Sequence, residues 1–157
     1  SKLIRWIIPA VAFIGKYIPK LKISGGFSEK YGESIHQSHG GQWDYNLKWK
    51  PDIAPKINLG WLRAIYKAQK ELKDKFVIHK PVLVLHSDKS VTNFDDKEQI
   101  KTRDAILNVN DIERIAHNIG GDLEIKSVRG GLHDLSLSDK PAKDEFYSAI
   151  LEWLKRK

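Results

Sequence analysis

Pro81-Val82-Leu83-Val84-Leu85, continued by His86-Ser87, is the stretch that decides the fold class. A proline opens an unbroken run of aliphatic and β-branched side chains. Alternation of polar and apolar residues would mark a strand with one wet face. A continuous run marks a parallel strand covered on both faces. A strand of that kind needs neighbours on either side and helices above and below it.

Reading downstream, His86 to Arg103 is a polar loop, long enough to carry function. A helix is expected over about 111–119, with Ile112, Ile115, Ala116 and Ile119 on one face and Gly120-Gly121 as its stop. Leu123 and Ile125 then alternate with charged residues, as on an edge strand. Gly130-Gly131-Leu132-His133-Asp134 breaks that strand. A last helix is expected from Pro141, suited to a first helical position, to Lys155, with Phe146, Ala149, Ile150, Trp153 and Leu154 as its apolar positions. The order strand, loop, helix, strand, loop, helix is that of an α/β unit with a parallel pair. Two strands make a poor sheet by themselves, and the remaining sequence offers no clear third strand.

Reading upstream, residues 59–73 (LGWLRAIYKAQKELK) have helical periodicity, and Asn58 can cap them. Residues 21–58 read as loop, punctuated by Gly25-Gly26, Gly32, Gly40-Gly41, Pro51 and Pro55, yet they hold Phe27, Tyr31, Trp43, Tyr45 and Trp49. Leu3 to Ile18 is strongly apolar, but Arg5, Pro9 and Lys16 interrupt it before the roughly 20 residues a membrane span requires. One or two short helices with an exposed apolar side are expected there.

Of the 157 residues, 41% are hydrophobic, which is enough for a core and too many for a disordered chain. There is no cysteine, so disulfides and thiolate metal sites are excluded. The net charge of +7 is uneven, +9 over residues 1–80 and −2 over residues 81–157. Those lysines are scattered and no nucleic-acid motif accompanies them, so a solvated surface is expected and a nucleic-acid partner is not. The absence of methionine and the start at Ser1 give the expectation of a fragment or a processed product.

The chemistry gathers around His133. A histidine in a loop beyond the C-terminal end of a parallel strand stands where α/β sheets bind ligands, and its near-neutral pKa suits proton transfer. No G-x-S-x-G nucleophile elbow occurs. Gly32-Glu33-Ser34-Ile35-His36 begins like one but lacks the final glycine and follows no strand. His36 and His39 lack a third ligand, so no metal site is expected. Neither glycine pair forms a phosphate loop.

Three blocks resemble the C-terminal portion of the α/β-hydrolase superfamily, in its lysophospholipase and monoacylglycerol-lipase-like (serine aminopeptidase-like) branch. They are Lys80 to Ser87, Asp104-Ala105-Ile106-Leu107-Asn108-Val109-Asn110-Asp111-Ile112, and Gly130-Gly131-Leu132-His133-Asp134-Leu135-Ser136-Leu137-Ser138. The closing Trp153-Leu154 helix fits as well, and Gly40 to Pro51 resembles the cap segment of bacterial members. The resemblance implies a cap or lid-like segment at 1–58 and the C-terminal part of the hydrolase core at 59–157. It implies a Ser-His-Asp triad in which His133 is the histidine. The acid is Asp104, or alternatively Asp88, which lies directly after the strand. Asp111 is expected to start a helix, and Asp134 to anchor the loop. Trp43, Tyr45, Trp49 and Trp61 would line a substrate pocket or fasten the cap.

The resulting expectation is a carboxylic ester hydrolase acting on a small ester or lipid-like substrate without a cofactor. The nucleophile and oxyanion hole would come from an N-terminal half outside these residues, so this chain alone should be inactive. A cytoplasmic location is expected. The alternative is a noncatalytic, basic, aromatic-rich binding module. Contact of residues 1–22 with acidic lipid surfaces is a third, weaker reading.

Overall fold

The computed structural model describes residues 2–24, 29–51, 53 and 55–157. The expected Gly25-Gly26 turn and the Phe27 side chain lie outside the described residues. In chain order the elements are α1 (Lys2–Ile14), β1 (Lys22–Ile23), α2 (Glu29–Ile35), β2 (Ile57–Asn58), α3 (Leu59–Glu71), β3 (Phe76–Val77), β4 (Val82–Ser87), α4 (Lys97–Thr102), α5 (Val109–Ala116), β5 (Ile119–Gly120), β6 (Leu123–Val128) and α6 (Ala142–Arg156). Short 3-10 turns occupy Gln37–His39 and Leu135–Leu137. No described helix is long and apolar enough to cross a membrane.

The chain forms two compact units, each built from two separate stretches. The first comprises Ser1–Gly26 and Ala54–Lys75; the second comprises Phe27–Ile53 and Phe76–Lys157. The expected division at 58/59 coincides with neither. Residues 29–51, expected with the cap, fold with the strands, and α3, expected with the core, folds with α1.

In the first unit α1 is a single helix with Pro9 inside it. Its last turn lies so close to α3 that a Cβ at Gly15 would sit 2.5 Å from the Leu59 carbonyl oxygen. Ala12 and Leu59 are buried at this crossing. Ile7, Phe13 and Ile14 remain exposed, as the apolar reading of this segment anticipated. Asn58 caps α3, its side-chain oxygen accepting from the Trp61 amide at 2.7 Å. β1 and β2 form a short antiparallel pair.

The second unit is organised by parallel pairing. β4 lies beside β6 with Val82 opposite Leu123 and Ser87 opposite Val128. β3 and β5 are also parallel, Phe76 opposite Ile119. The two ladders are out of step because four residues, 78–81, separate β3 from β4 while two, 121–122, separate β5 from β6. Gly121 absorbs the difference with φ +104°. A Cβ there would approach the Ile78 carbonyl oxygen to 2.6 Å.

Four features depart from the sequence reading. Val82 to Leu85 are only half-buried, with full burial confined to His86 and Ser87, because among the described residues β4 has a partner on one side only. The stretch 21–58 is not all loop, since α2 places Tyr31 and Ile35, four residues apart, in a core with Leu132. The polar loop after β4 contains α4, capped by Asp96 through the Glu98 and Gln99 amides. Only Ile100 of that helix is buried, too little for a periodic signal. Finally α5 ends at Ala116, and Gly120 pairs in β5 instead of stopping the helix.

Helix α6 covers β4 and β6. Phe146 packs on a cluster of Val128, Leu135 and Ala142, of which Val128 is fully buried. Pro141 stands at its N-cap, one residue ahead of the expected position, and Leu154 is exposed despite its place in the apolar pattern. The Gly121→Ala variant should lose about 1–3 kcal/mol of stability from its left-handed backbone and the clash with Ile78. Urea unfolding would measure it, and an unchanged midpoint would show that the step between ladders relaxes freely.

Candidate active site

The site lies beyond the C-terminal ends of β4 and β6. Asp104 reaches it through backbone pairing, not through proximity in sequence. Its amide donates to the Lys89 carbonyl and its own carbonyl accepts from the Val91 amide, both at 2.8 Å, so that Ser90 and Asp104 form a parallel bridge. This bridge folds the end of the α4 segment back onto the loop leaving β4.

The Asp104 side chain is 2% exposed. Its Oδ1 accepts from the amides of Ile106 and Leu107, at 2.8 and 2.7 Å. Its Oδ2 accepts from His133 Nδ1 at 3.0 Å. A carboxylate can only accept, so Nδ1 carries the proton and the neutral ring presents Nε2 as an acceptor. No described residue hydrogen-bonds to that Nε2. Asp88, the alternative acid, is not at the imidazole. Its Oδ1 accepts from the Gly130 amide at 2.9 Å and holds the start of the histidine loop.

That loop has little conformational choice. Gly130 adopts φ +69°. Gly131 leaves room for Leu135, whose Cδ2 would stand 2.5 Å from an added Cβ. The Leu132 amide donates to the buried Ser138 Oγ at 2.8 Å. Asp134 is tied to two distant segments: Tyr31 Oη and Lys50 Nζ donate to its Oδ2 at 3.0 and 2.8 Å. The Asp134 amide donates to the same Tyr31 oxygen at 3.0 Å. The Tyr31 ring meets the imidazole edge-on, with centroids 6.3 Å apart.

Asp134 thus anchors the loop, and Tyr31 and Lys50 carry no signal in the sequence for holding it. They stand 103 and 84 residues from Asp134, and no motif spacing connects them.

The electrostatics follow from these contacts. Burial works against ionisation of Asp104, but the His133 bond and the Leu107 and Ile106 amides outweigh it and hold its pKa below the ordinary carboxylate value. The Asp104 bond raises the His133 pKa. Burial opposes that rise, the Asp104 and Asp134 charges add to it, and Lys50 subtracts. Burial also opposes the Asp134 charge, but the Lys50 bond and charge, the Tyr31 bond and the His133 charge together hold its pKa below the ordinary carboxylate value. Burial pushes the Tyr31 phenol well above its usual range.

The four expected substrate-side aromatics stand in different settings. Trp43 and Tyr45 pack on the cluster of Tyr31, Ile35 and Leu132, and Trp43 Nε1 donates to the Leu137 carbonyl at 2.8 Å. Trp49 is 88% exposed on the turn that carries Lys50. Trp61 belongs to the first unit. His36 uses both ring nitrogens, one with Ser38 and one with the Tyr45 carbonyl. Among the described residues no group of three His, Cys, Asp or Glu side chains could hold a metal.

The His133–Asp104 pair should leave a two-sided mark on stability. The lowered Asp104 pKa contributes stability that is complete above 3.8 and is lost as pH falls through the folded value. The raised His133 pKa contributes stability that is complete below 6.5 and is lost as pH rises through the folded value. The difference in unfolding free energy between wild type and Asp104→Asn should therefore be greatest between those pH values. A difference independent of pH would remove the ion pair from the stability of this unit.

No protein-family model and no curated protein matches the chain. Its structure does resemble solved ones. The crystal structure of Paleococcus ferrophilus monoacylglycerol lipase aligns with a TM-score of 0.67 at 19% identity, over 95% of this chain and 51% of the lipase. A soluble variant of the monoglyceride lipase from Saccharomyces cerevisiae, in complex with a substrate analogue, aligns with a TM-score of 0.64 at 15% identity, over 96% of this chain and 48% of that one. The chain thus spans about half the length of the structures it matches, and that half is the C-terminal one. With its parallel β4–β6 pair, flanking helices and these two neighbours, the chain has the fold of the C-terminal half of an α/β-hydrolase.

Proposed function

We propose that this chain supplies the general base and its orienting acid to a serine hydrolase that cleaves small or lipid-like carboxylic esters. The observation that carries the reading is the Asp104–His133 bond of 3.0 Å, set beyond the strand ends with Nε2 left to accept a proton. In the mechanism a serine hydroxyl attacks the ester carbonyl and passes its proton to Nε2. The tetrahedral intermediate collapses to an acyl-enzyme as the imidazolium returns that proton to the leaving alkoxide. Water then attacks the acyl-enzyme by the same relay. Asp104 keeps the proton of the neutral ring on Nδ1 and stabilises the imidazolium without itself accepting a proton.

The nucleophile and the oxyanion donors are proposed to lie outside these 157 residues. The chain contains no G-x-S-x-G. Its buried serines are committed elsewhere, Ser87 Oγ donating to the Lys89 carbonyl and Ser138 Oγ accepting from Leu132. This chain by itself should therefore be inactive. The cap role of residues 1–58 and the substrate role of the aromatics belong to the same proposal. Trp49, 88% exposed and next in sequence to Lys50, is the aromatic of the second unit with the most surface to offer an acyl chain. The lipid-like substrate class rests on the two lipases that share the fold.

The test is turnover of short- and long-chain p-nitrophenyl esters by the whole hydrolase. His133→Ala should reduce kcat on the order of 10⁶-fold and Asp104→Asn on the order of 10⁴-fold. Asp88→Asn, which keeps an oxygen for the Gly130 amide, should cost far less. Because the reactive form is the neutral imidazole and its pKa is raised, kcat/KM should climb with pH through a midpoint above 6.5. Unchanged turnover in His133→Ala would defeat the proposal, as would a reading frame that encodes no elbow serine ahead of Ser1. The first result would move the base to another residue of the hydrolase; the second would favour a noncatalytic binding module.

A further inference from the structure

We infer that Tyr31, Asp134 and Lys50 form a positioning clamp on His133, fixing where its imidazole stands and how firmly it holds a proton. The inference rests on the proposed role of His133 as a base, but its physical content is separate from turnover.

Three otherwise independent segments meet at one carboxylate. Tyr31 comes from α2, Lys50 from the turn that follows Leu47, and Asp134 from the histidine loop. Asp134 Oδ2 receives Tyr31 Oη at 3.0 Å and Lys50 Nζ at 2.8 Å, while the Asp134 amide donates back to Tyr31 Oη at 3.0 Å. The phenol therefore grips the backbone and the side chain of the residue next to His133. A two-point hold of this kind fixes the local peptide orientation, and so the direction in which the preceding side chain leaves the loop. The Tyr31 ring also stands edge-on to the imidazole, centroids 6.3 Å apart with an interplanar angle of 78°. That contact limits the swing of the ring away from Asp104.

The clamp carries charge as well as shape. Asp104 faces the imidazole from the segment after α4, Asp134 is on its own loop, and Lys50 comes from across the unit. The two carboxylates favour the imidazolium and Lys50 disfavours it. Lys50 both holds Asp134 in place and opposes its charge at the imidazole. A purely structural tie has no need of this opposition. A base that must release its proton in the second half of each step does.

NMR titration of the His133 ring in the chain, assigned by loss of its signals in His133→Gln, reads this directly. Asp134→Asn should lower the His133 midpoint because a neighbouring negative charge is removed. Lys50→Met should raise it because Asp134 then acts unopposed, and Lys50→Arg should restore the wild-type value. Tyr31→Phe should accelerate hydrogen exchange of the Asp134 amide on the order of tenfold, as expected for loss of one partly buried hydrogen bond. Opposite shifts in Asp134→Asn and Lys50→Met support the clamp. Shifts in the same sense, as general loosening of the loop would give, overturn it, and so does no shift in either. None of these readings uses an ester. Turnover that survives His133→Ala would defeat the hydrolase proposal and leave the titration result standing.

Discussion

A carboxylate removed from water must find donors, and Asp104 finds three. With 2% of its side chain exposed, it would be costly to bury as a charge without the amides of Ile106 and Leu107 and the imidazole of His133. Those donors come from two different places in the chain. Satisfying the charge therefore draws the segment after α4 against the loop after β6, and the Ser90–Asp104 bridge keeps it there. The parallel register of β4 and β6 sets the strand ends side by side. The buried charge then determines what is built on top of them. Much of the rest of the second unit stabilises this arrangement: Asp88 on Gly130, Ser138 on Leu132, Trp43 on Leu137.

The strand that decided the fold class was legible because an apolar run after a proline has few other readings. Helix α3 was legible because Asn58 and a periodic face agree. His133 stood out because a Gly-Gly turn directly follows the strand. The helices α2 and α4 were not legible, and for the same physical cause. Each is short and presents little apolar surface to the core, Tyr31 and Ile35 in one case and Ile100 in the other. Their stability comes from the tertiary context, which local periodicity does not report.

The acid illustrates what spacing can and cannot tell. Asp88 lies directly after β4 and Asp104 lies sixteen positions further on. By chain distance the nearer residue is the natural candidate, and the resemblance alone favoured the farther one. The geometry brings Asp104 to the imidazole because α4 turns the chain back, an element that the sequence does not announce. Tyr31 and Lys50 were invisible for a stricter reason. Their relation to Asp134 exists only after the fold has closed loops of many tens of residues.

The way the two units share the chain has a practical bearing on dissecting this protein. The first unit is assembled from the stretches before 27 and between 53 and 76, and the second takes the remainder. The chain passes from one unit to the other three times. A single cut between residues 27 and 75 therefore leaves at least one unit incomplete. A deletion series stepping inward from the N-terminus would remove the first unit's opening helix before it reached the second unit at all. To obtain the second unit alone, residues 27–53 must be rejoined to residue 76 by a designed linker, with the intervening helix α3 removed as an insert.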